Sequence, residues 1–316
     1  MAPRGPGAVP GGEALVRCDL AQARGAARHG GAARRLVETA NALIGRRLLH
    51  AEEPLELLWC PQTVDANRTP LLFVHGAHLG AWCWEEHFLP WFAARGFPVF
   101  ALSLRGHGAS GGRERLNQFG LADYALDLAG VVASVGRAPV LIGHSMGGMV
   151  VQKYLGTAAE GDCAAAVFAC PVPSFGLLPS TISLAWTRPA LFAGIQRMAA
   201  GGAASPQVLA DALFAGPMEQ GRLAGIHRRM QQESRRALMD MSGWGLPQLW
   251  TMQRLRMLCL GAQKDILIPA SSVRASARML GAEYRELPGL GHAVMLETRW
   301  EAAARPILEW LEENDF

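Results

Sequence analysis

The chain has 316 residues, of which 50 % are hydrophobic and 18 % are charged. This length and apolar content predict one large α/β domain, or two smaller domains, with a sizeable buried core. The net charge of +3 comes with scattered basic residues, which argues against a nucleic-acid partner, and no apolar run is long enough for a membrane span.

The first 53 residues differ in composition from the rest of the chain. They begin with a Pro/Gly-rich stretch and continue with a segment rich in Ala and Arg and poor in acidic residues. We expect residues 1–53 to form a disordered or loosely helical N-terminal extension, with an organelle transit peptide as the alternative. The segment contains no serine, which counts against the transit peptide. The predicted location is therefore the cytoplasm, or an organelle if this leader directs the chain there.

Short apolar runs that end at glycine or polar residues predict buried strands from residue 54 onwards. They lie within residues 54–60, 70–76, 98–108, 139–145, 165–171 and 255–262. The first of these is expected to be an edge strand or half of a hairpin. Six cysteines show no CxxC pair or metal-ligand spacing, and those in or beside the apolar runs are predicted to be reduced, buried thiols.

Helical patterns separate the strands. Tyr124, Leu128 and Val131 recur at helical spacing, and Ser271 or Ser272 is predicted to cap a later helix. The final helix is expected to break or kink near Pro306. Alternating buried strands and helices predict a mostly parallel sheet covered on both faces, with sites at the carboxyl ends of its strands.

One region interrupts the alternation of strands and helices. Residues 172–252 show helical patterns but no buried strand, which predicts a helical cap inserted into a core formed by residues 54–171 and 253–316. The cap holds six of the twelve methionines, and we expect Trp186 and Trp244 to line a pocket for an apolar ligand. The alternative is that these side chains only pack the cap onto the core. Contact of the cap arginines with a membrane surface is not indicated, since a solvated helix face explains them.

The stretch from Gly143 to Gly147 follows a predicted strand and precedes a helical pattern. It fits the G-x-S-x-G pattern of a sharp turn that lifts a serine hydroxyl above a sheet. Ser145 is therefore a candidate nucleophile, although alone it could be a small residue in a tight turn. His144 is expected to pack this turn or to line the substrate pocket.

A serine nucleophile needs a base, and the base needs an orienting acid. In this architecture the chain order is serine, acid, histidine. Asp265 follows a predicted strand, and His292 lies in a glycine-rich loop after the next one. Each could singly be a structural residue, but their joint order and placement predict a catalytic triad of Ser145, Asp265 and His292. Glu283 and Glu286 are weaker candidates for the acid because they lie within a strand pattern.

An acyl-transfer site must also bind a developing oxyanion, which backbone N–H groups do well. Met146 follows the nucleophile, and Ala77 follows His75-Gly76 in the loop after a buried strand, so these two N–H groups are the predicted oxyanion hole. His75 is more simply a structural hydrogen-bonding residue. No metal site is predicted, because His75 and His78 lack acidic or cysteine partners, and no organic cofactor is needed.

The stretches HGA, RGHGAS, GHSMGG, GAQKDILIP and GLGHAVMLE together resemble the α/β-hydrolase superfamily over residues 55–316. This resemblance implies an eight-stranded sheet, a helical cap and the triad named above. HGAHLGAWCWE resembles the plant esterase and hydroxynitrile-lyase group, SLRGHGASGG looks like monoglyceride lipases and lysophospholipases, and the long cap fits bacterial-type carboxylesterases. The serine at position 145 excludes a resemblance to dehalogenases and epoxide hydrolases.

The predicted function is hydrolysis of a small carboxylic ester with an apolar acyl or alcohol group, through an acyl-enzyme on Ser145. One alternative is another reaction of the same triad: C–C bond hydrolysis, hydroxynitrile cleavage, cofactor-free haloperoxidation or acyl transfer. The other is a non-catalytic ligand-binding protein that retains the triad. The sequence does not fix the oligomeric state.

Overall fold

A computed structural model describes residues 44–49, 53–61, 65, 67–200, 202, 205–252 and 254–316. Residues 1–43, which make up most of the predicted extension, lie outside these ranges. Among the helices of the described ranges, none combines the length and apolarity that a membrane crossing requires.

A single eight-stranded sheet forms the centre of the molecule. Its strands in chain order are β1 (Gly45–Leu49), β2 (Leu55–Trp59), β3 (Leu71–Val74), β4 (Val99–Leu102), β5 (Val140–His144), β6 (Ala165–Ala169), β7 (Arg256–Ala262) and β8 (Glu283–Leu287). Across the sheet the order is β1-β2-β4-β3-β5-β6-β7-β8. The β1–β2 and β2–β4 pairs are antiparallel and all the others are parallel, which confirms the predicted fold class.

The first strand corrects the predicted start of the core at residue 54. Strand β1 lies inside the predicted extension, yet it pairs with all five residues of β2. Its sequence, GRRLL, lacks an apolar run because an edge strand of an antiparallel pair is only half covered. Arg46 instead forms an ion pair with Glu56 of β2 at 2.9 Å. Strand β2 is therefore half of a hairpin, one of the two predicted alternatives, and β1 occupies the edge.

The described residues form ten α-helices. They are α1 (Phe88–Ala93), α2 (Leu121–Val135), α3 (Met146–Leu155), α4 (Leu178–Thr187), α5 (Pro189–Ala199), α6 (Pro206–Leu213), α7 (Gln220–Arg229), α8 (Arg235–Met239), α9 (Ala270–Leu280) and α10 (Glu301–Glu313). Helices α4 to α8 follow one another between β6 and β7, and no strand occurs among the described residues of this inserted segment (residues 172–252).

Two predictions about helix ends need correction. Helix α9 begins at Ala270, directly after Pro269, so Ser271 and Ser272 lie inside its first turn instead of capping it. Helix α10 continues through Pro306, so the predicted break, one of the two alternatives given with a kink, does not occur. A proline removes only one backbone donor, and this helix packs on the core on both sides of Pro306, with Ala303 before it and Ile307 after it.

Apolar layers cover both faces of the sheet. Successive strand residues alternate between them, so that Phe73 belongs to the layer that includes α1 and α10, and Leu72 to the layer that includes α2, α3 and α9. Five cysteines are free and buried: Cys60, Cys163, Cys170 and Cys259, for which this was predicted, and Cys83. The loops that follow β3, β5, β7 and β8 come together at the carboxyl edge of the parallel strands.

Candidate active site

The turn between β5 and α3 holds Ser145 in a strained conformation. Its backbone has φ 52° and ψ −118°, a combination that a non-glycine residue rarely adopts. The glycines beside it are required by close packing. A Cβ on Gly143 would lie 2.6 Å from the carbonyl oxygen of Gly147, and a Cβ on Gly147 would lie 2.5 Å from that of His75. The G-x-S-x-G stretch from Gly143 to Gly147 therefore forms the sharp turn that this pattern predicts.

A chain of hydrogen bonds joins Ser145, His292 and Asp265. The Oγ atom of Ser145 lies 3.0 Å from Nε2 of His292, and Nδ1 of His292 lies 2.7 Å from Oδ2 of Asp265. The other carboxylate oxygen of Asp265 accepts the N–H groups of Leu267 and Ile268 at 2.9 Å. All three side chains are largely buried, so this arrangement is held in a region with little access to bulk water.

The hydrogen-bond partners define which nitrogen of His292 carries the proton. A carboxylate only accepts hydrogen bonds, so Nδ1 of His292 donates to Asp265. Nε2 is then free to accept the hydroxyl proton of Ser145. The geometry is that of a serine paired with a general base, the chemical arrangement that makes a hydroxyl nucleophilic at neutral pH.

The loop after β3 lies directly against the serine. A Cβ on Gly76 would come within 3.0 Å of the Cβ of Ser145 and 2.7 Å of Nδ1 of His144, so only glycine fits there. The next residue is Ala77, one of the two predicted oxyanion donors. The N–H groups of Ala77 and Met146 donate to no acceptor among the described residues, which leaves both available to a ligand.

His144 takes the first of its two expected positions and packs the turn. It is 1 % exposed, and its Nε2–H donates to the carbonyl oxygen of His292 at 2.9 Å. Burial and the neighbouring His292 keep the pKa of His144 well below its usual value, so the ring is neutral. It thereby connects the serine turn to the histidine loop and does not line a pocket.

The two tryptophans predicted to line a pocket stand at the molecular surface instead. Trp186 in α4 is 89 % exposed, and Trp244 after α8 is 84 % exposed. Side chains with so little contact cannot form the wall of an enclosed pocket. Helical periodicity indicates that they lie on helices, but not which face of each helix meets the core.

Glu297 follows His292 in the chain, which is the wrong order for the acid of the triad. Its carboxylate binds backbone N–H groups instead. One of its carboxylate oxygens accepts the N–H groups of Ala215, at 2.7 Å, and of Gly291, at 2.9 Å. It thus fixes the loop that carries His292 to the end of α6. Ala215 is 82 residues away along the chain, so no local sequence signal reveals the contact.

Cys170, at the end of β6, also lies at this site. Its Sγ and ligand atoms of Asp265 and His292 are within 4.8 Å of one another, and this is the one such group among the described residues. Burial, with the adjacent Asp265, holds the pKa of the Cys170 thiol well above its usual value, so it stays protonated. Asp265 and His292 are already hydrogen-bonded to each other, and a metal ion bound by these side chains would have to replace that hydrogen bond.

The strand order and the strained serine turn after β5 place the chain in the class of α/β-hydrolase folds. The model of the alpha/beta hydrolase family matches residues 71–305, and the chain belongs to that family.

Relatives within this class have several named activities. The chain is 29 % identical to a monoacylglycerol lipase of Mycolicibacterium smegmatis over 268 residues, which are 80 % of this chain and 91 % of that protein. It is 36 % identical to a non-heme chloroperoxidase of Streptomyces lividans over 105 residues, which are 33 % of this chain and 37 % of that protein. An esterase from Exiguobacterium antarcticum shares the fold with a TM-score of 0.62 at 16 % identity, covering 82 % of this chain and 96 % of that one.

Proposed function

We propose that the protein is a serine hydrolase that cleaves a carboxylic ester through an acyl-enzyme on Ser145. The observation that carries the proposal is the hydrogen-bonded series from Ser145 through His292 to Asp265, next to two unengaged backbone N–H groups. The similarity to a monoacylglycerol lipase over four-fifths of the chain supports the same reaction class.

In the proposed mechanism, Nε2 of His292 takes the hydroxyl proton as Oγ of Ser145 attacks the ester carbonyl carbon. The N–H groups of Ala77 and Met146 hold the oxyanion of the tetrahedral intermediate. The intermediate collapses as the C–O bond breaks, and His292 passes its proton to the leaving alcohol. Water then attacks the acyl-enzyme with His292 again as the base, while Asp265 holds the imidazole in the required tautomer throughout.

The proposed substrate is a small-molecule ester with an apolar acyl or alcohol group. The named activity of the mycolicibacterial relative favours such a group. For the location of the protein, the cytoplasm remains our proposal, with an organelle as the alternative if the leader directs it there.

The test is hydrolysis of a series of p-nitrophenyl esters from acetyl to palmitoyl, with Ser145→Ala as the matched variant. We expect turnover by the native protein, with a preference for the longer acyl chains, and loss of nearly all activity in the variant. Equal activity in the two proteins would contradict the serine mechanism. A preference for acetyl would contradict the apolar acyl group only.

A second candidate reaction uses the same residues with hydrogen peroxide in place of water. The similarity to a non-heme chloroperoxidase favours it, although this match covers little more than a third of that protein. Attack of peroxide on the acyl-enzyme would release a peracid. Halide oxidation assayed with peroxide and a short carboxylic acid distinguishes the two candidates, and its absence in a protein that hydrolyses esters would exclude this one.

A further inference from the structure

The loop that carries the proposed oxyanion donor is tied to the inserted segment by a short connection between α7 and α8. The N–H of Gln231 donates to the carbonyl oxygen of His78 at 3.0 Å, and Nδ1 of His78 donates to the carbonyl oxygen of Gln231 at 3.0 Å. The side-chain amide of Gln231 also reaches the carbonyl oxygen of Gly106 at 3.1 Å. The inserted segment therefore contacts both the loop after β3 and the loop after β4.

Glu233, two residues further on, has a fully buried carboxylate that receives four hydrogen bonds. Its Oε1 accepts the Tyr124 hydroxyl at 2.8 Å and the N–H of Ser234 at 2.7 Å. Its Oε2 accepts Nε2 of His107 at 3.0 Å and the N–H of His78 at 3.3 Å. An ionised carboxylate at this depth is stable only because its donors and a countercharge compensate for lost hydration.

The partner of Glu233 in the core is His107. Its Nδ1 faces the carbonyl oxygen of Arg105 at 3.1 Å, and its Nε2 faces Glu233. Both partners are oxygens that accept hydrogen bonds, so each ring nitrogen of His107 faces an acceptor. Burial alone would raise the pKa of Glu233, but the charge and hydrogen bond of His107, with the further donors, lower it to about 2. Glu233 and His107 thus form a buried hydrogen-bonded pair that joins the inserted segment to the core.

His75 lies against His107 and continues the network to the serine. The two ring centroids are 5.1 Å apart. Burial and the charge of His107 lower the pKa of His75 to about 3, so this ring is neutral. Its Nε2 accepts the N–H of Leu104 at 3.1 Å, and its Nδ1 donates to the carbonyl oxygen of Gly76 at 2.8 Å.

The Gly76 carbonyl and the Ala77 N–H belong to one planar peptide group, so fixing one fixes the direction of the other. That peptide is held by His75 at its carbonyl oxygen, and the loop just beyond it is held by Glu233 through the N–H of His78. We propose that Glu233, paired with His107, is a positioning residue that sets the direction of the Ala77 N–H in the oxyanion hole. This inference rests on the proposed function and adds a role for the inserted segment in it.

The test compares the native protein with Glu233→Gln, which keeps the size of the side chain but removes its charge and one acceptor. Two rates are measured: turnover of a p-nitrophenyl ester, and phosphonylation of Ser145 by a fluorophosphonate, which needs the oxyanion hole but no knowledge of the substrate. We expect kcat and the phosphonylation rate constant both to fall about 10- to 100-fold, with KM changed less than about twofold.

Asp127→Asn is the matched control. It breaks a second buried carboxylate pair of this region, in which Asp127 contacts Arg105 at 2.7 Å, and it reaches the Glu233 pair only indirectly, through the carbonyl oxygen of Arg105 that faces His107. Both variants should unfold at a lower temperature, but only Glu233→Gln should lose rate. A rate loss of equal size in the control, or unchanged rates in Glu233→Gln, would overturn the positioning role.

Three further outcomes are decisive. If Glu233→Gln does not fold, Tyr124→Phe removes one donor from the same carboxylate, and we expect kcat to fall about two- to fivefold at constant KM; no change would overturn the inference.

If the native protein is not phosphonylated at Ser145, the proposed function fails and the inference fails with it. If it is phosphonylated but the rates of the variants match it, the inference alone fails.

Discussion

At the scale of single residues, the site depends on how closely Gly76 approaches Ser145. A Gly76→Ala substitution would place a methyl group 2.7 Å from Nδ1 of His144 and 3.0 Å from the Cβ of Ser145. The loop must move away, and the Ala77 N–H moves with it. We expect kcat/KM for ester hydrolysis to fall at least about 100-fold, as when an oxyanion donor is lost.

Gly130→Ala is the control for this substitution. Gly130 lies on the exposed side of α2, where an added Cβ would meet no atom within 4 Å beyond its own stretch of helix. Alanine has the better helix propensity, so the free energy of unfolding should rise by about 0.5–1 kcal/mol while the activity stays unchanged. Native-like activity in Gly76→Ala would contradict the proposed place of the loop in the mechanism.

Asp265→Asn tests the orientation of the base. The asparagine oxygen can still accept the N–H groups of Leu267 and Ile268, so the loop should keep its shape. Its amide, however, donates to Nδ1 of His292 and stabilises the tautomer that cannot accept the serine proton. We expect kcat to fall about 10³- to 10⁴-fold with little change in KM. Steady-state kinetics with a p-nitrophenyl ester decides, and a loss confined to KM would argue against the proposed role.

At the scale of elements, Glu297 joins the His292 loop to the end of α6. Glu297→Ala leaves the N–H groups of Ala215 and Gly291 without their acceptor, which costs about 1–3 kcal/mol for the buried Gly291 and less for the exposed Ala215. Glu297→Gln keeps an acceptor oxygen. Urea unfolding should show a lower free energy of unfolding for the alanine variant than for the glutamine variant, with a lower kcat as well. Equal unfolding midpoints would show that the contact does not hold the loop.

The strands and turns differ in how well the sequence predicts them. The buried strands and the turn at Ser145 follow from local patterns, because a strand covered on both faces needs a continuous apolar run and the turn needs its glycines. Strand β1 lacks such a run because only one of its faces is covered. Trp186 and Trp244 show another limit of prediction from sequence. The composition of the inserted segment indicates apolar side chains, but it does not show whether they face the core or the solvent.

Some residues of the candidate site can be predicted from the sequence, and others cannot. Chain order and placement after strands predict Ser145, Asp265 and His292, and these three side chains are joined by hydrogen bonds. The pair of Glu233 and His107 spans 126 residues along the chain, and no periodicity or motif relates the two positions. Only the folded chain brings the connection between α7 and α8 onto the loop after β3. Contacts of this kind depend on tertiary packing and are beyond the reach of local patterns.

At the scale of the whole molecule, buried neutral histidines make the stability depend on pH. Burial lowers the pKa of His75 to about 3, and it also lowers the pKa values of His78 and His144, from 6.5 in the unfolded chain. The unfolded chain therefore binds protons first, and stability that is complete above pH 6.5 is lost as the pH falls towards the folded values.

Each such histidine costs up to about 1.4 kcal/mol per pH unit in this window. The free energy of unfolding should therefore fall by at least about 2 kcal/mol between pH values of about 7.5 and about 5, measured by urea unfolding. Glu233 adds a further loss as the pH falls from 4.5 towards about 2. A free energy that stays constant down to about pH 5 would contradict the neutral, buried state of these rings.

The central claim is that Ser145 is the nucleophile of this fold. The most direct measurement is the intact mass of the native protein after reaction with a fluorophosphonate, followed by mapping of the modified peptide, with Ser145→Ala treated in parallel. We expect one phosphonyl group per chain, on Ser145, no adduct in the variant, and loss of ester hydrolysis in step with labelling. Ester hydrolysis that persists without an adduct, or with an adduct on another residue, would contradict it.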